Sequence, residues 1–415
     1  MSPPTNLPSA ADLANSCAND YTLLTGPTLD QETQTNLEAL AKHFLETNTF
    51  RDLLKLIPWK RFSHSPNHAH TAIADLLCCG AAYFVATTNY DTHIEDAALR
   101  LGERDFRSSL DGVEAAESAD SHRPLLKLHG CHRRDRNNTL WTHSQILENK
   151  TIKERQERTV PWLVGNLTGK DVVLVGFWTD WDYLNDILSS AVAGSEPRTI
   201  VLVDPSDSKT LEEKAPDLWT WANQPNATFI LIQEQAHLFL EELRTEFSRR
   251  FLHRVFDGAE TLFGQLFPGE YPIDDSAFVS LRADDLYPIR KDLAGRTNSE
   301  ACREAKPIES MQLAAAFMAA ILSSGGKLHG SVFSLNGKYI RVINCANLLL
   351  SQAKDRYQGD LAHSPRCDTA ICVGAFDASV PEDVVVRSPK TQSIVRNDWA
   401  GRWLTNDDAR EWICS

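Results

Sequence analysis

The chain has 415 residues, 42% of them hydrophobic and 24% charged, with a formal net charge of −14. This balance belongs to a folded globular protein, and the length exceeds one ordinary core, which predicts two domains. The acidic excess argues against direct nucleic-acid binding and against an anionic membrane surface, because no surplus of phosphate-neutralising cations remains. No apolar run approaches the ~18 residues of a membrane span, and MSPPTNLPSA lacks the basic-then-apolar pattern of a secretory signal. A cytoplasmic protein is expected. The nine scattered cysteines include no C-x-x-C pair, so reduced, mostly buried thiols are predicted rather than a disulfide framework or a zinc ribbon.

Helical spacing of apolar residues covers 10–21 and then 31–46, where Asp30 is suited to cap. Residues 50–57 read as a short helix stopped by Pro58, and Asn67 opens NHAHTAIADLLCC, which Gly80 closes. The pattern then changes. Continuous apolar, β-rich runs at 82–88, 124–130, 171–176, 198–204 and 226–232 have the composition of strands buried on both faces of a parallel sheet. They alternate with helical stretches such as THIEDAALRLG and DWDYLNDILSSAV and end in AHLFLEELRTEFSRRFL. This order predicts an α/β fold with a doubly wound, Rossmann-like parallel sheet over residues 1–255. Residues 256–306 are less regular and are expected to form a linker or a subdomain covering that domain. A smaller α+β domain is expected over 307–415. It comprises the apolar helix SMQLAAAFMAAILSS, read as core, a β-hairpin turning at Asn336-Gly337, the helix NLLLSQAKDRY and two or three further strands.

Doubly wound sheets bind ligands beyond the carboxyl ends of their strands. Here those ends carry Thr88-Asn89-Tyr90-Asp91, His129-Gly130-Cys131, Gly176-Phe177-Trp178 and Asp204-Pro205. Each has an ordinary explanation. Asp91 or Thr92 could cap the next helix, Asp180 could do the same further on, and a lone histidine is more often structural than catalytic. Capping does not account for Asn89 at a strand mouth, and Asp204 suits ribose hydroxyls. His64, His68 and His70 cluster at a helix start, but no carboxylate completes a ligand set, so no metal site is expected.

Taken in order, T-T-N-Y-D at 87–91, L-H-G at 128–130, the apolar strand ending at Gly176 and the V-D-P at 203–205 resemble the sirtuin-like family. The similarity is greatest to its bacterial NAD-hydrolase branch of antiphage defence systems, and it spans roughly 7–252. It implies cleavage of NAD to nicotinamide and ADP-ribose, with NAD as substrate and not as cofactor. In that scheme Asn89 holds the ribose and positions water, and His129 is the base. Asp91 bonds the nicotinamide carboxamide, Thr88 and Gly176 line the channel, and Asp204 meets the adenosine ribose. The resemblance further implies a homo-oligomer and a HerA-type ATPase partner, with NAD depletion as an abortive-infection response gated by assembly or by that partner. Two departures stand out. The interval between L-H-G and Gly176 holds only Cys131, unlike the zinc ribbon of protein deacylases. The family's opening strand and G-A-G-x-S phosphate loop are absent, and MSPPTNLPSAADLA resembles the stretch on the C-terminal side of that motif, so such a strand is expected upstream of Met1. The alternative function is a scaffold module that binds NAD or ADP-ribose with little or no turnover.

Overall fold

A computed structural model describes residues 9–63, 65–119, 122–176, 185, 188–189, 192–272, 276–363, 366–376 and 399–415. The chain divides into two compact units, Met1–Glu241 and Glu242–Ser415.

The first unit opens with helices α1 (Ala10–Thr25), α2 (Gln31–Thr35), α3 (Leu37–Glu46) and α4 (Phe50–Leu56). Asp30 caps α2 as expected, accepting from the Thr33 amide at 3.0 Å. The stretch 31–46, expected as one helix, is broken at Asn36. That residue is extended (φ −110°, ψ 115°), and its side chain accepts from the amides of Glu38 and Ala39 to start α3 afresh. Leu13, Leu40, Phe44 and Leu53 from these helices form a core that also takes in Tyr90 and Trp141. Helix α5 (His68–Cys78) begins at Asn67 in a reciprocal cap with His70 and is followed by Gly80 at φ +75°. The His70 Nδ1 is used in that cap, accepting from the Asn67 amide at 3.2 Å.

All five expected α/β strands are present: β1 (Val85–Thr87), β3 (Leu125–Lys127), β4 (Asp171–Val175), β5 (Thr199–Val203) and β6 (Thr228–Ile232). A short additional strand, β2 (Ser108–Ser109), has no apolar signature and was not anticipated. The intervening helices are α6 (His93–Leu101), α7 (Gly112–Ser118), α8 (His143–Glu148), α9 (Lys150–Leu167), α10 (Ser208–Lys214) and α11 (Pro216–Ala222). The helix expected over 180–192 falls largely outside the described residues. All pairings in this unit are parallel, in two three-stranded sheets ordered β1-β3-β2 and β4-β5-β6. One apolar cluster serves both sheets, joining Leu126 and Leu128 to Val172, Ile200 and Leu202, with Phe84, Ala86 and Leu174 packed against it. The two sheets also begin at the same end. The Tyr83 ring, before β1, lies 5.1 Å from the Arg123 guanidinium, before β3, and 5.1 Å from the Lys170 ammonium, before β4. Within each sheet the strands run parallel, and the carboxyl ends of β1, β3, β4 and β5 carry the candidate residues.

The division between the units falls within helix α12 (Ala236–Leu266), which runs on through residue 255, where a domain end was expected. The physical reason is an unbroken apolar stripe. Phe251, Leu252, Val255, Phe256, Ala259 and Phe263 all join the core of the second unit. Residues 256–306, expected to form a linker or a subdomain over the first domain, supply the rest of α12, α13 (Ser276–Val279) and α14 (Ala283–Leu293), whose Leu286, Ile289 and Leu293 lie in the same core. Helix α15 (Glu309–Ser323) is central to that core, with Met311 and residues 314–321 buried. The hairpin at Asn336-Gly337 is present, both residues having positive φ (50° and 74°). The segment before it forms two strands rather than one, so that β7 (Lys327–His329), β8 (Val332–Leu335) and β9 (Lys338–Asn344) make an antiparallel meander. Helix α16 (Leu350–Ala362), β10 (Thr369–Val373), β11 (Arg402–Leu404) and α17 (Asn406–Cys414) complete a mixed sheet ordered β11-β10-β9-β8-β7.

All nine cysteines are free, and six of them are buried. Among the described residues, no helix is long and apolar enough to cross a membrane. The second unit carries a buried ion pair in which the Arg341 guanidinium donates from Nε and Nη2 to Asp292 at 2.6–3.0 Å, with Asp292 fully enclosed. Asp292→Ala leaves that cation buried without its counter-charge. The expected cost is about 3–5 kcal/mol of unfolding free energy, read from urea denaturation. A loss under about 1 kcal/mol, the size of an exposed pair, would show that the bridge does not hold the unit together.

Candidate functional site

The site is built where β1 and β3 end. Their register pairs Thr87 with Lys127, and the Leu128 amide continues the ladder to the Thr87 carbonyl at 2.9 Å. Beyond that point β1 passes through Thr88-Asn89-Tyr90-Asp91 into α6, while β3 passes through His129 into Gly130. Gly130 has φ +85°, and a Cβ there would lie 3.3 Å from the Asn138 carbonyl oxygen. The glycine therefore serves a tight turn against its own chain, which accounts for it without any ligand.

The short 88–91 segment is held at nearly every residue. His129 hydrogen-bonds the Thr88 backbone. The Asn89 amide donates to Thr87 Oγ1 at 3.2 Å. The Tyr90 carbonyl accepts from the His132 amide at 3.1 Å and from the His132 ring at 2.9 Å. The Tyr90 hydroxyl donates to the Leu140 carbonyl at 2.5 Å, and its ring stacks on Trp141 with centroids 4.5 Å apart. The Asp91 carbonyl accepts from Lys127 Nζ, which also pairs with Glu95 Oε1 at 3.2 Å. The Asp91 carboxylate accepts from the His93 amide at 2.9 Å, a local turn just ahead of α6, whose N-cap is Thr92. Within this frame Asn89 is exposed, and its carboxamide makes no hydrogen bond among the described residues.

Of the other predicted residues, all but Gly176 are less open. Thr88 is half-buried, Asp91 is 4% exposed, and His129 is 2% exposed beneath the segment, with its ring centroid 5.7 Å from that of Tyr90. In the second sheet the Gly176 amide donates to the Val203 carbonyl at 3.1 Å, beside Asp204, whose carboxylate accepts from the Ser206 amide at 2.8 Å. Gly176 is exposed, with φ +58°. The structure thus gathers Thr88, Asn89, Asp91 and His129 at the end of one sheet, and Gly176 and Asp204 at the end of the other. Phe177, Trp178, Asp180 and Asp182 lie outside the described residues. A cavity of about 330 Å³ touches Leu45, Phe50, Gln145 and Lys150 and includes none of the six candidates.

Burial sets the protonation of the imidazoles. It drives His129 down to about 4, with the bond to the Thr88 backbone offsetting only part of the shift. It drives His70 down to about 4 as well, opposed by Asp91 and reinforced by His93, whose ring centroid is 5.0 Å away. His132 is lowered for the same reason, against the pull of the Tyr90 carbonyl. All three rings are neutral at pH 7. Sequence reasoning overlooked Lys127, Glu95 and His132. The signal was a lysine inside the apolar run PLLKLHG, because a buried ammonium requires partners.

These shifts make stability depend on pH. In the unfolded chain these histidines take up protons below about pH 6.5, whereas His70 and His129 in the fold resist until about pH 4. The unfolded state therefore binds more protons in that window, and stability, full above pH 6.5, falls as pH drops toward 4. Each ring contributes a slope of up to about 1.4 kcal/mol per pH unit. His129→Gln is expected to remove one such share from a plot of urea midpoint against pH. An unchanged slope would mean that His129 titrates normally.

No curated protein matches the chain. The family model described as a SIR2-like domain matches residues 84–230, about a third of the chain, so the stretch from the residue before β1 into β6, with both groups of candidate residues, is similar to a SIR2-like domain.

Proposed function

We propose that the first unit binds NAD and hydrolyses its nicotinamide–ribose bond in the cytoplasm, releasing nicotinamide and ADP-ribose. The observation that carries this is Asn89, an exposed carboxamide with no hydrogen bond among the described residues, on a segment held by its neighbours at the carboxyl end of a parallel sheet. The SIR2-like match over the same strands supports NAD as the ligand.

The chemistry asks little of the protein beyond position and charge. Nicotinamide leaves neutral as its bond to ribose C1′ breaks, so no general acid is required, and the transition state resembles an oxocarbenium ion. Water forms the new C1′–O bond and gives up a proton. A fixed amide that orients both ribose and water supplies the required geometry. Asn89 takes that role, and His129, kept neutral by burial, takes the proton. Asp91 bonds the nicotinamide carboxamide, Thr88 and Gly176 line the channel, and Asp204 meets the adenosine ribose. Since loss of NAD harms a cell, we further propose that the protein is the NAD-depleting effector of an antiphage abortive-infection response. Its activity would be gated by self-assembly or by a HerA-type ATPase partner.

One observation favours a second function, a module that binds NAD or ADP-ribose without cleaving it. His129 is 2% exposed and already bonded to the Thr88 backbone, a poor position for a base. Etheno-NAD separates the two, because cleavage raises its fluorescence continuously with turnover, whereas binding alone gives at most a single change stoichiometric with the protein.

Asn89→Ala is expected to lower NAD consumption by at least about 10²-fold. The urea midpoint should stay near that of the unaltered chain, because the side chain is exposed and holds nothing. A folded variant that retains near-wild-type turnover would overturn the assignment.

A further inference from the structure

Lys127 is 2% exposed within a strand whose other two residues are apolar and fully buried. Enclosing an ammonium is costly, and a protein tolerates it only where partners are well placed. No step of the reaction proposed above uses a cation at this point. Its partners show what it does. Nζ donates to the Asp91 carbonyl, at the end of the segment that carries Asn89, and pairs at 3.2 Å with Glu95 Oε1 in the first turn of α6. The second Glu95 oxygen is buried and makes no hydrogen bond among the described residues, so Lys127 is that carboxylate's charge partner.

Lys127 ends β3, and His129 follows in the turn whose Gly130 amide returns to the Lys127 carbonyl at 3.2 Å. His129 holds the segment where it begins, at Thr88, and Lys127 holds it where it ends, at Asp91. Asn89 sits between the two holds. His132 holds the Tyr90 carbonyl between them and the Tyr90 ring is stacked on Trp141, so a shift of Asp91 would be felt at the neighbouring Asn89 rather than absorbed by the Tyr90 ring. The Glu95 carboxylate pairs with Lys127, the Asp91 carboxylate lies 3.8 Å from the His93 ring, and the His93 and His70 ring centroids are 5.0 Å apart.

We propose that Lys127 is a positioning residue for Asn89, fixing the height and direction of the carboxamide by holding the Asp91 carbonyl and the first turn of α6 together. The proposal rests on Asn89 being the ligand-facing group.

The test compares the full chain with a double variant, Lys127→Met combined with Glu95→Gln, which removes both charges together and leaves neither stranded. Two quantities are read: steady-state NAD consumption, and amide hydrogen exchange over 88–92 against β5 as internal control. A displaced but present carboxamide should lower kcat by about 10²-fold with KM changed by less than about threefold. Exchange over 88–92 should rise about tenfold or more while β5 is unchanged. Lys127→Arg, which keeps a charged donor, should recover most of kcat and of the protection. The proposal is overturned if the folded double variant keeps wild-type kcat, if protection over 88–92 is unaltered, or if exchange rises equally in β5. Should the double variant not fold, Glu95→Gln alone is read in the same way, with a smaller rise confined to 88–92 expected and none overturning the proposal. If the wild-type chain does not consume NAD, the proposed function fails, and the exchange comparison still decides whether Lys127 holds the segment.

Discussion

A strand that leaves its sheet carries backbone groups that have lost their ladder partners, and each one buried without a substitute costs about as much as a lost hydrogen bond. Beyond Thr87, β1 is in this situation. The substitutes come mostly from one neighbouring strand and the turn after it: the rings of His129 and His132, the ammonium of Lys127 and the amide of His132. The rest of the first unit can be understood as support for this arrangement. The four N-terminal helices build the apolar bed in which Tyr90 and Trp141 stack, and Asn67 and His70 fix the start of the helix that brings His70 against His93. The glycine turn at 130 then folds the chain back, so that the Leu140 amide meets the His129 carbonyl at 3.0 Å.

The sequence was most readable where a single physical rule dominated. Continuous apolar runs located five strands within a few residues, but the burial on both faces expected of them holds throughout only for β3, whereas β4 and β6 keep exposed positions such as Val173 and Ile230. Asn336-Gly337 declared its hairpin because few other residue pairs accept two consecutive positive φ values. Readability failed where rules compete. Asn36 stands within a helical pattern, yet its side chain bonds the amides of Glu38 and Ala39 and restarts the helix. Ser108-Ser109 pairs with β3 on backbone bonds alone and offers no side-chain pattern to find.

At the candidate site, the chemical residues could be named from the sequence, but their relations could not. T-T-N-Y-D and L-H-G mark the two strand ends, and the structure brings both ends into one cluster. What the motifs do not carry is the division of labour within it. Asp91 closes a turn ahead of α6 as well as being a candidate ligand, His129 is a buried tie as well as a candidate base, and Gly130 is explained by its own turn. The Asn89 carboxamide is exposed and makes no hydrogen bond among the described residues, and that is visible only once its neighbours have been paired off. The second unit illustrates a related limit. Its apolar helix α15 was recognisable as core, whereas the enclosed Arg341–Asp292 bridge joins residues 49 apart, a separation at which composition and periodicity carry no signal.

The dense fastening of residues 88–91 also has a thermodynamic side. Loops that order themselves only around a ligand give up conformational freedom at that moment, and the loss is subtracted from affinity. Here the backbone has already given up that freedom during folding, so a ligand meeting Asn89 would find the main chain set in advance. Selectivity for such a ligand would then depend on the reach of one short amide and on the shape of what approaches it, rather than on a closing movement of the segment itself.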